Sequence, residues 1–269
     1  FNGNGKDDIV LATDDAHIYL IYDNAVTAPG FPIVLGDKIQ TAPSILDINN
    51  DKIILVGTGE DSGQGEDNNF YAINADGFLE FNIKANKDIM TSASFLSHNE
   101  KQYIFFGGND SLIYAVDING DALSGWPVNA GAVISKSLIF SDLDCNGDPE
   151  IIASTTETNI LAFNLDGTSY STFPINSSSA FTSSPVIIDL DDDGDLEILA
   201  GSQNELVVVD IKSFGSDTSY WNMYRGNLRR TGYSGTSPIG GYIAECPEQL
   251  KNTTPYLAHN YKINALYPN

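Results

Sequence analysis

Asp189-Leu190-Asp191-Asp192-Asp193-Gly194-Asp195-Leu196-Glu197 places carboxylates at its first, third, fifth and ninth positions and a glycine at its sixth. Oxygen donors at alternate positions, a glycine for the sharp bend and a closing carboxylate are what a hard Ca²⁺ ion requires. The flanks decide the context. Ser184-Pro185-Val186-Ile187-Ile188 leads in, Ile198-Leu199-Ala200-Gly201 leads out, and both read as short buried strands. The stretch is therefore a calcium loop between two strands rather than between two helices, and the rest of the chain repeats the unit.

The period is roughly 45–50 residues, which points to a propeller or a solenoid. Five units align: Phe1 to about Leu46, Asp47 to about Leu96, Ser97 to about Phe140, Ser141 to about Ile188, and Asp189 to about Gly235. Each begins with a loop. An apolar strand follows, as in Ile53-Ile54-Leu55-Val56-Gly57 and Tyr103-Ile104-Phe105-Phe106-Gly107. A second strand alternates, as in Leu112-Ile113-Tyr114-Ala115-Val116. Then comes a hairpin signal, Asp76-Gly77, Asn119-Gly120 or Asp166-Gly167. An aromatic-proline step follows (Phe31-Pro32, Trp126-Pro127, Phe173-Pro174), suited to an outer edge strand where no ladder donor is missed. A strand of small residues closes the unit, as in Thr91-Ser92-Ala93-Ser94.

Four short strands per unit, with the small-residue strand innermost where blades crowd an axis, predict an all-β fold, a β-propeller of four-stranded blades. A solenoid would want shorter repeats without regular Asp-Gly hairpins. The first unit lacks its innermost strand. The expectation is that the chain is a piece of a longer protein whose complete propeller has seven or eight blades, and that an upstream segment or another chain completes the first blade. Residues 1–235 read as the propeller and 236–269 as an extended linker or C-terminal arm.

Composition narrows the partners. The chain has 269 residues and a formal charge of −23, with a pI near 4.1. Nucleic acid needs a basic surface, so it is excluded as a partner. No run of about 18 apolar residues exists, so no membrane insertion is expected. The chain begins at Phe1 without a signal peptide, and nothing about secretion follows from that. Cys145 and Cys246 make no disulfide framework. Far apart in sequence, they read as free thiols, with pairing left open.

Asp-x-Asp-x-(Asp/Asn)-Gly-x-x-(Asp/Glu) loops between strands at a blade period resemble the FG-GAP repeats, also called VCBS repeats, of integrin-α-like propellers. The resemblance covers Phe1 to Gly235. It is specific in the fifth unit and in the fourth, Asp142-Leu143-Asp144-Cys145-Asn146-Gly147-Asp148-Pro149-Glu150, and partial in the first, Phe1-Asn2-Gly3-Asn4-Gly5-Lys6-Asp7-Asp8. Asp47-Ile48-Asn49-Asn50-Asp51 and Ser97-His98-Asn99-Glu100 depart from it, and no calcium is expected there. The stretch Tyr220 to Tyr233 is similar to the segment that closes such propellers in secreted bacterial proteins. The ending Asn264-Ala265-Leu266-Tyr267-Pro268-Asn269 looks like the approach to a type IX secretion sorting domain. These resemblances imply a secreted or cell-surface protein, exported by type IX secretion, with two to three calcium ions.

Ligands follow from position in each loop. The fifth would use Asp189, Asp191, Asp193 and Glu197 through side chains and Asp195 through its carbonyl. The fourth would use Asp142, Asp144, Asn146 and Glu150, with the carbonyl of Asp148. The first would use Asn2, Asn4 and Asp8, with the carbonyl of Lys6. So many carboxylates in nine residues repel strongly without a cation, and the role expected of bound ions is structural. Cys145 points away from the metal position.

All the arginines, Arg225, Arg229 and Arg230, lie beside Trp221, Tyr224 and Tyr233. They form either a patch for an anionic sugar or carboxylate partner or an inter-blade salt-bridging cluster. Gly57 to Asn69 is the longest insertion, expected on the face opposite the calcium loops as a mobile loop, a further cation site or a partner contact. His17, His98 and His259 are scattered, without a triad order or zinc spacing. The function expected is a non-catalytic, calcium-stabilised extracellular module for adhesion, with a glycan or surface protein as partner. The alternatives are part of a secreted enzyme, either a polysaccharide lyase or the accessory domain of a protease, and a structural subunit of a surface assembly. Fold alone does not choose among them.

Overall fold

A computed structural model describes residues 1–59, 67–217 and 220–235, together with the backbone of Leu257–Asn264. It is all-β: five sheets, antiparallel but for one short parallel pair, with no α-helix among the described residues. The first sheet is β1 (Ile9–Ala12), β2 (His17–Ile21) and β3 (Ile33–Val34). The second is β4 (Ser44–Ile48), β5 (Asp51–Gly57), β6 (Asn69–Asn74) and β7 (Leu79–Lys84). The third is β8 (Ser94–His98), β9 (Lys101–Gly107), β10 (Leu112–Asp117) and β11 (Val128–Asn129). The fourth is β12 (Ile139–Ser141), β13 (Glu150–Ser154), β14 (Asn159–Phe163) and β15 (Ile175–Asn176). The fifth opens with β16 (Val186–Ile188), β17 (Asp195–Gly201) and β18 (Glu205–Phe214). The short strand β19 (Tyr233–Ser234) pairs parallel with β4, and β20 (Leu257–Asn264) pairs antiparallel with β18. The tail, read from sequence as a linker or arm, thus supplies the outer strand of the fifth blade.

In β9, Ile104, Phe105 and Phe106 are all fully buried. Successive side chains point to opposite faces, so both faces of this sheet are covered, as expected of a blade between two others. Phe106 stacks on Phe70 of the second sheet at 3.9 Å. Phe105 meets Phe140 of the fourth at 5.0 Å and the edge of Trp126 at 5.3 Å. One apolar cluster spans sheets two to four, another joins four to five, and a third joins one to two. Neighbouring sheets therefore pack face to face in chain order.

The small-residue stretch read as a closing strand, Thr91-Ser92-Ala93-Ser94 in the second unit, instead leads into the inner strand: β8 starts at Ser94 and continues with the buried Phe95 and Leu96. Ser44 Oγ donates to the carbonyl of Ala93 at 2.8 Å and Ser94 Oγ to that of Leu138 at 2.7 Å, so hydroxyls bridge one inner strand to the next. Thr41, Thr91 and Ser183 each accept the backbone N–H of the glycine that ends the adjacent strand, Gly57, Gly107 and Gly201.

Residues 220–235, the closing segment, run along the axial edges of these strands. The carbonyl of Trp221 accepts from Phe140 N, that of Asn222 from Ile187 N, and that of Gly232 from Ile45 N. One stretch thus ties the inner strands of blades two, four and five, and Trp221 packs edge-on against Phe95 of blade three at 5.1 Å.

The aromatic-proline steps precede the two-residue outer strands β3, β11 and β15, as the edge-strand reading required. The Gly57–Asn69 insertion joins β5 to β6, at the end of the blade opposite the β4–β5 turn; its residues 60–66 lie outside the described residues. The free-thiol reading is corrected: Cys145 is disulfide-bonded. The chain has one other cysteine, Cys246, outside the described residues.

The outer rim depends on two reciprocal glycine contacts. A Cβ on Gly125, at φ +87°, would lie 1.9 Å from the carbonyl oxygen of Asp166, and Gly30 meets Asp76 in the same way at 2.2 Å. We expect Gly125→Ala to destabilise by about 2–4 kcal/mol, since backbone must move. Gly131→Ala, at φ +74° with nothing within 4 Å, should cost only the conformational strain of about 1–2 kcal/mol. Denaturant midpoints of the two variants compare them directly.

Candidate metal centres

The β12–β13 and β16–β17 connections are the two long acidic loops. The equivalent turns of blades two and three are closed by two residues, Asn49-Asn50 and Asn99-Glu100, all at positive φ. This is the tight hairpin geometry that asparagine favours.

In the fourth loop one carboxylate oxygen from each of Asp142, Asp144 and Glu150 lies within 4.8 Å of the others. The loop folds around Asp142, whose Oδ1 accepts Asn146 N at 3.1 Å and whose Oδ2 accepts Gly147 N at 2.9 Å. Glu150 begins β13, is almost wholly buried, and accepts Leu143 N at 2.7 Å. Burial, then the charges of Asp144 and Asp142, push its carboxyl up to about 9. Burial likewise raises Asp142. No Lys or Arg side chain forms an ion pair with these three among the described residues. Buried carboxylates without a counter-charge are costly, and the donors gathered here are all oxygen. The set fits a hard divalent cation. Asn146 Oδ1 accepts Asp148 N at 2.7 Å. The exposed Asp148 side chain turns to His98 Nε2 at 3.1 Å.

The fifth loop differs. Asp191, Asp193, Asp195 and Glu197 each bring a carboxylate oxygen within 4.8 Å of the rest. Asp189 is turned onto the loop's own amides, accepting Asp192 N at 2.7 Å and Gly194 N at 3.1 Å. The spacing assigned Asp195 a carbonyl role, yet its side chain joins the cluster, because β17 starts there and turns the residue inward. Lys212 of β18 reaches in, 3.0 Å from Asp195, 3.5 Å from Asp193 and 2.8 Å from Asp210. Burial and the neighbouring Asp193 raise Asp195 to about 7 even so. Sequence reasoning missed Lys212. Its relation to the loop depends on the β17–β18 register, which pairs Asp195 with Phe214 across a bulge.

The first loop gathers no such cluster among the described residues. Asn2 Oδ1 accepts Asn4 N, and Asn4 Oδ1 accepts Lys6 N. Lys6 Nζ and Asn4 Nδ2 both turn to Asp23. Asp8 accepts the Phe1 amino group at 2.7 Å and Asp23 N at 3.0 Å.

The arginine-aromatic group divides. Trp221 is buried against Phe95. Arg225 is a clasp: its guanidinium donates to the carbonyls of Pro43, Thr231 and Arg230 at 2.9–3.0 Å. Arg229 is exposed. Tyr224 and Arg230 line a cavity of about 420 Å³ between the inner strands.

No family model matches the sequence. Over 98 residues the chain is 33% identical to a lambda-carrageenase of Pseudoalteromonas carrageenovora, which is 36% of this chain and 10% of that enzyme. Over 79 residues it is 32% identical to a lambda-carrageenase of a Pseudoalteromonas species, 29% of this chain and 8% of the enzyme. The chain thus spans about a tenth of the length of the curated relatives it matches. Among solved structures, BBS1N in complex with ARL6DN, soaked with mercury, superposes with a TM-score of 0.53 at 13% identity, covering 80% of this chain and 63% of that one. BamB of Moraxella catarrhalis gives 0.50 at 16% identity, covering 76% and 58%. The fold is a β-propeller.

We expect Arg225→Lys to lower stability by about 2 kcal/mol, because an ammonium cannot serve three carbonyls set around a planar fork. Thermal unfolding of the variant beside Arg229→Lys, which should unfold as the parent does, checks this.

Proposed function

We propose that this chain is a non-catalytic, calcium-stabilised module of an extracellular or cell-surface protein, and that it binds carbohydrate. The observation that carries the calcium half is the trio Asp142, Asp144 and Glu150, with Asp142 and Glu150 buried and no cationic side chain paired to any of the three among the described residues. The carbohydrate half is supported by the similarity to lambda-carrageenases. The disulfide at Cys145 suits an oxidising, extracellular setting. No helix among the described residues is long and apolar enough to cross a membrane. Export by a type IX route is proposed on the resemblance of the ending, of which Asn264 alone lies within the described backbone.

The repeats belong, on this reading, to the FG-GAP type and to a propeller of seven or eight blades. The outward face of the first sheet supports the larger ring: Ile9, Leu11 and Val34 are 62%, 46% and 63% exposed. A further blade, from the same protein or another chain, would cover them. The similarity to carrageenases also favours a second reading, that the chain is part of a polysaccharide-degrading enzyme. Release of new reducing ends from polysaccharide by the full-length protein would select it.

Calcium in excess should raise the unfolding midpoint and a chelator should lower it. Saturation at about 100 times the dissociation constant contributes about 2.7 kcal/mol per site. Elemental analysis should find two ions, from the fourth and fifth loops, with a third reporting the first loop. Glu150→Gln should lose one ion, while Lys212→Met should tighten binding at the fifth loop by removing a competing charge. No bound calcium and no chelator effect would sink the calcium half.

Glycan binding is tested separately, by retention of the calcium-loaded protein on immobilised polysaccharides. Retention by carrageenan above that by uncharged resin is the expected result, and indifference to every glycan overturns it.

A further inference from the structure

We propose that the axial cavity binds an anionic saccharide through Lys136 and Arg230. The proposal rests on the carbohydrate-binding reading and names the place and the charge of the ligand. The cavity is framed by the residues that precede or open the inner strands of blades two to five, so it opens at the end of the blades opposite the acidic loops, which follow those strands. The closing segment forms its floor with Tyr224 and Arg230.

Its chemistry is unlike the rest of the surface. Asp and Glu number 36 against 13 Lys and Arg, yet no carboxylate lines the cavity and two cationic side chains do. Neither Lys136 nor Arg230 forms an ion pair among the described residues, whereas Lys6, Lys52 and Lys212 all do. Part of the hydroxyl lining is already used, since Thr41, Thr91 and Ser183 hold the glycines that end adjacent strands. The side chains of Gln40, Ser92 and Ser135 make no hydrogen bond among the described residues. Tyr224 is 38% exposed at the same site.

Unpaired cations, free hydroxyl and amide groups and one open aromatic ring match a sugar bearing sulfate or carboxylate. A guanidinium grips either anion with two parallel donors. Hydroxyl and amide side chains exchange hydrogen bonds with ring hydroxyls, and the C–H face of a pyranose packs on a tyrosine ring. A volume of about 420 Å³ is that of a small-molecule site, commonly about 300–1,000 Å³, and far exceeds what a bare inorganic anion fills. The net charge of −23 opposes a densely charged polymer. Screening within about 8 Å at physiological salt lets a chain end with one or two anionic groups reach the two cations.

Calorimetric titration of the calcium-loaded protein at physiological salt tests this with three probes: a sulfated galactose tetrasaccharide, a galacturonate tetrasaccharide and an unsubstituted galactose tetrasaccharide. At least one charged probe should bind at least about 10-fold more tightly than the neutral one, and whichever binds better identifies the anionic group. Lys136→Gln and Arg230→Gln should each weaken that binding by about 10-fold. Their unfolding midpoints should stay at the parent value, since neither side chain has a protein partner to lose. If a charged probe binds parent and double variant alike, the cavity assignment is overturned and the carbohydrate reading stands. Equal binding of the neutral probe overturns the anionic class. If none of the three probes binds, this proposal fails, and retention on polysaccharide then decides separately whether the wider reading survives.

Discussion

The inner strands have to lie close together around an axis, and most of the structure answers to that crowding. The stretches that enter them are therefore written in small residues, Thr41-Ala42-Pro43-Ser44 and Thr91-Ser92-Ala93-Ser94 among them, while larger ones such as Leu46 and Phe95 follow further along. Small residues alone would leave the axial edge of every inner strand with unpaired backbone groups, and unpaired buried groups are costly. Serine hydroxyls answer part of this by bonding the carbonyl of the next blade, as Ser44 does to Ala93 and Ser94 to Leu138. Trp221, Asn222 and Gly232 of the closing segment answer another part, their carbonyls accepting from Phe140, Ile187 and Ile45. The arginine clasp at Arg225 holds that segment in place.

The same geometry separates two chemistries at opposite ends of the blades. Where an inner strand leaves the axis, the chain turns sharply. Two blades make the turn with two residues and two make it with a long acidic loop. The long loops bring carboxylates together with different balancing charge. The fourth leaves its charges without a basic side chain among the described residues, and the fifth has Lys212 among Asp193, Asp195 and Asp210. One cluster is balanced in part by the protein and the other is not. At the entering end the lining turns polar and locally cationic, because the connections there contribute Lys136 and the closing segment contributes Arg230.

Residues that look alike in sequence are given opposed tasks by this arrangement. Arg225 and Arg230 lie five positions apart. One is spent on three backbone carbonyls and the other has a side chain free of hydrogen bonds among the described residues. Trp221 and Tyr224 divide in the same way, the first into the core and the second into the cavity.

The sequence alone determined the blades. Hydrophobic alternation, Asp-Gly and Asn-Gly hairpins and the aromatic-proline steps are local signals with local causes, and the strands they marked are present, whereas the small-residue stretches read as closing strands only lead into them, as residues 135–138 lead into β12. The acidic loops were legible for the same reason, since ligand spacing within nine residues is a property of contiguous chain. The outer strand Leu257–Asn264 escaped notice because a strand at a sheet edge, lacking the repeat's flanking signals, resembles a linker until its partner β18 is known. The disulfide at Cys145 was hidden because sequence separation carries no information on spatial approach. Lys212 at the fifth loop, and the meeting of Lys136 with Arg230, depend on strand register and on how four blades converge. Only the tertiary structure decides those, because side chains from distant repeats acquire a common environment when the inner strands close on one axis.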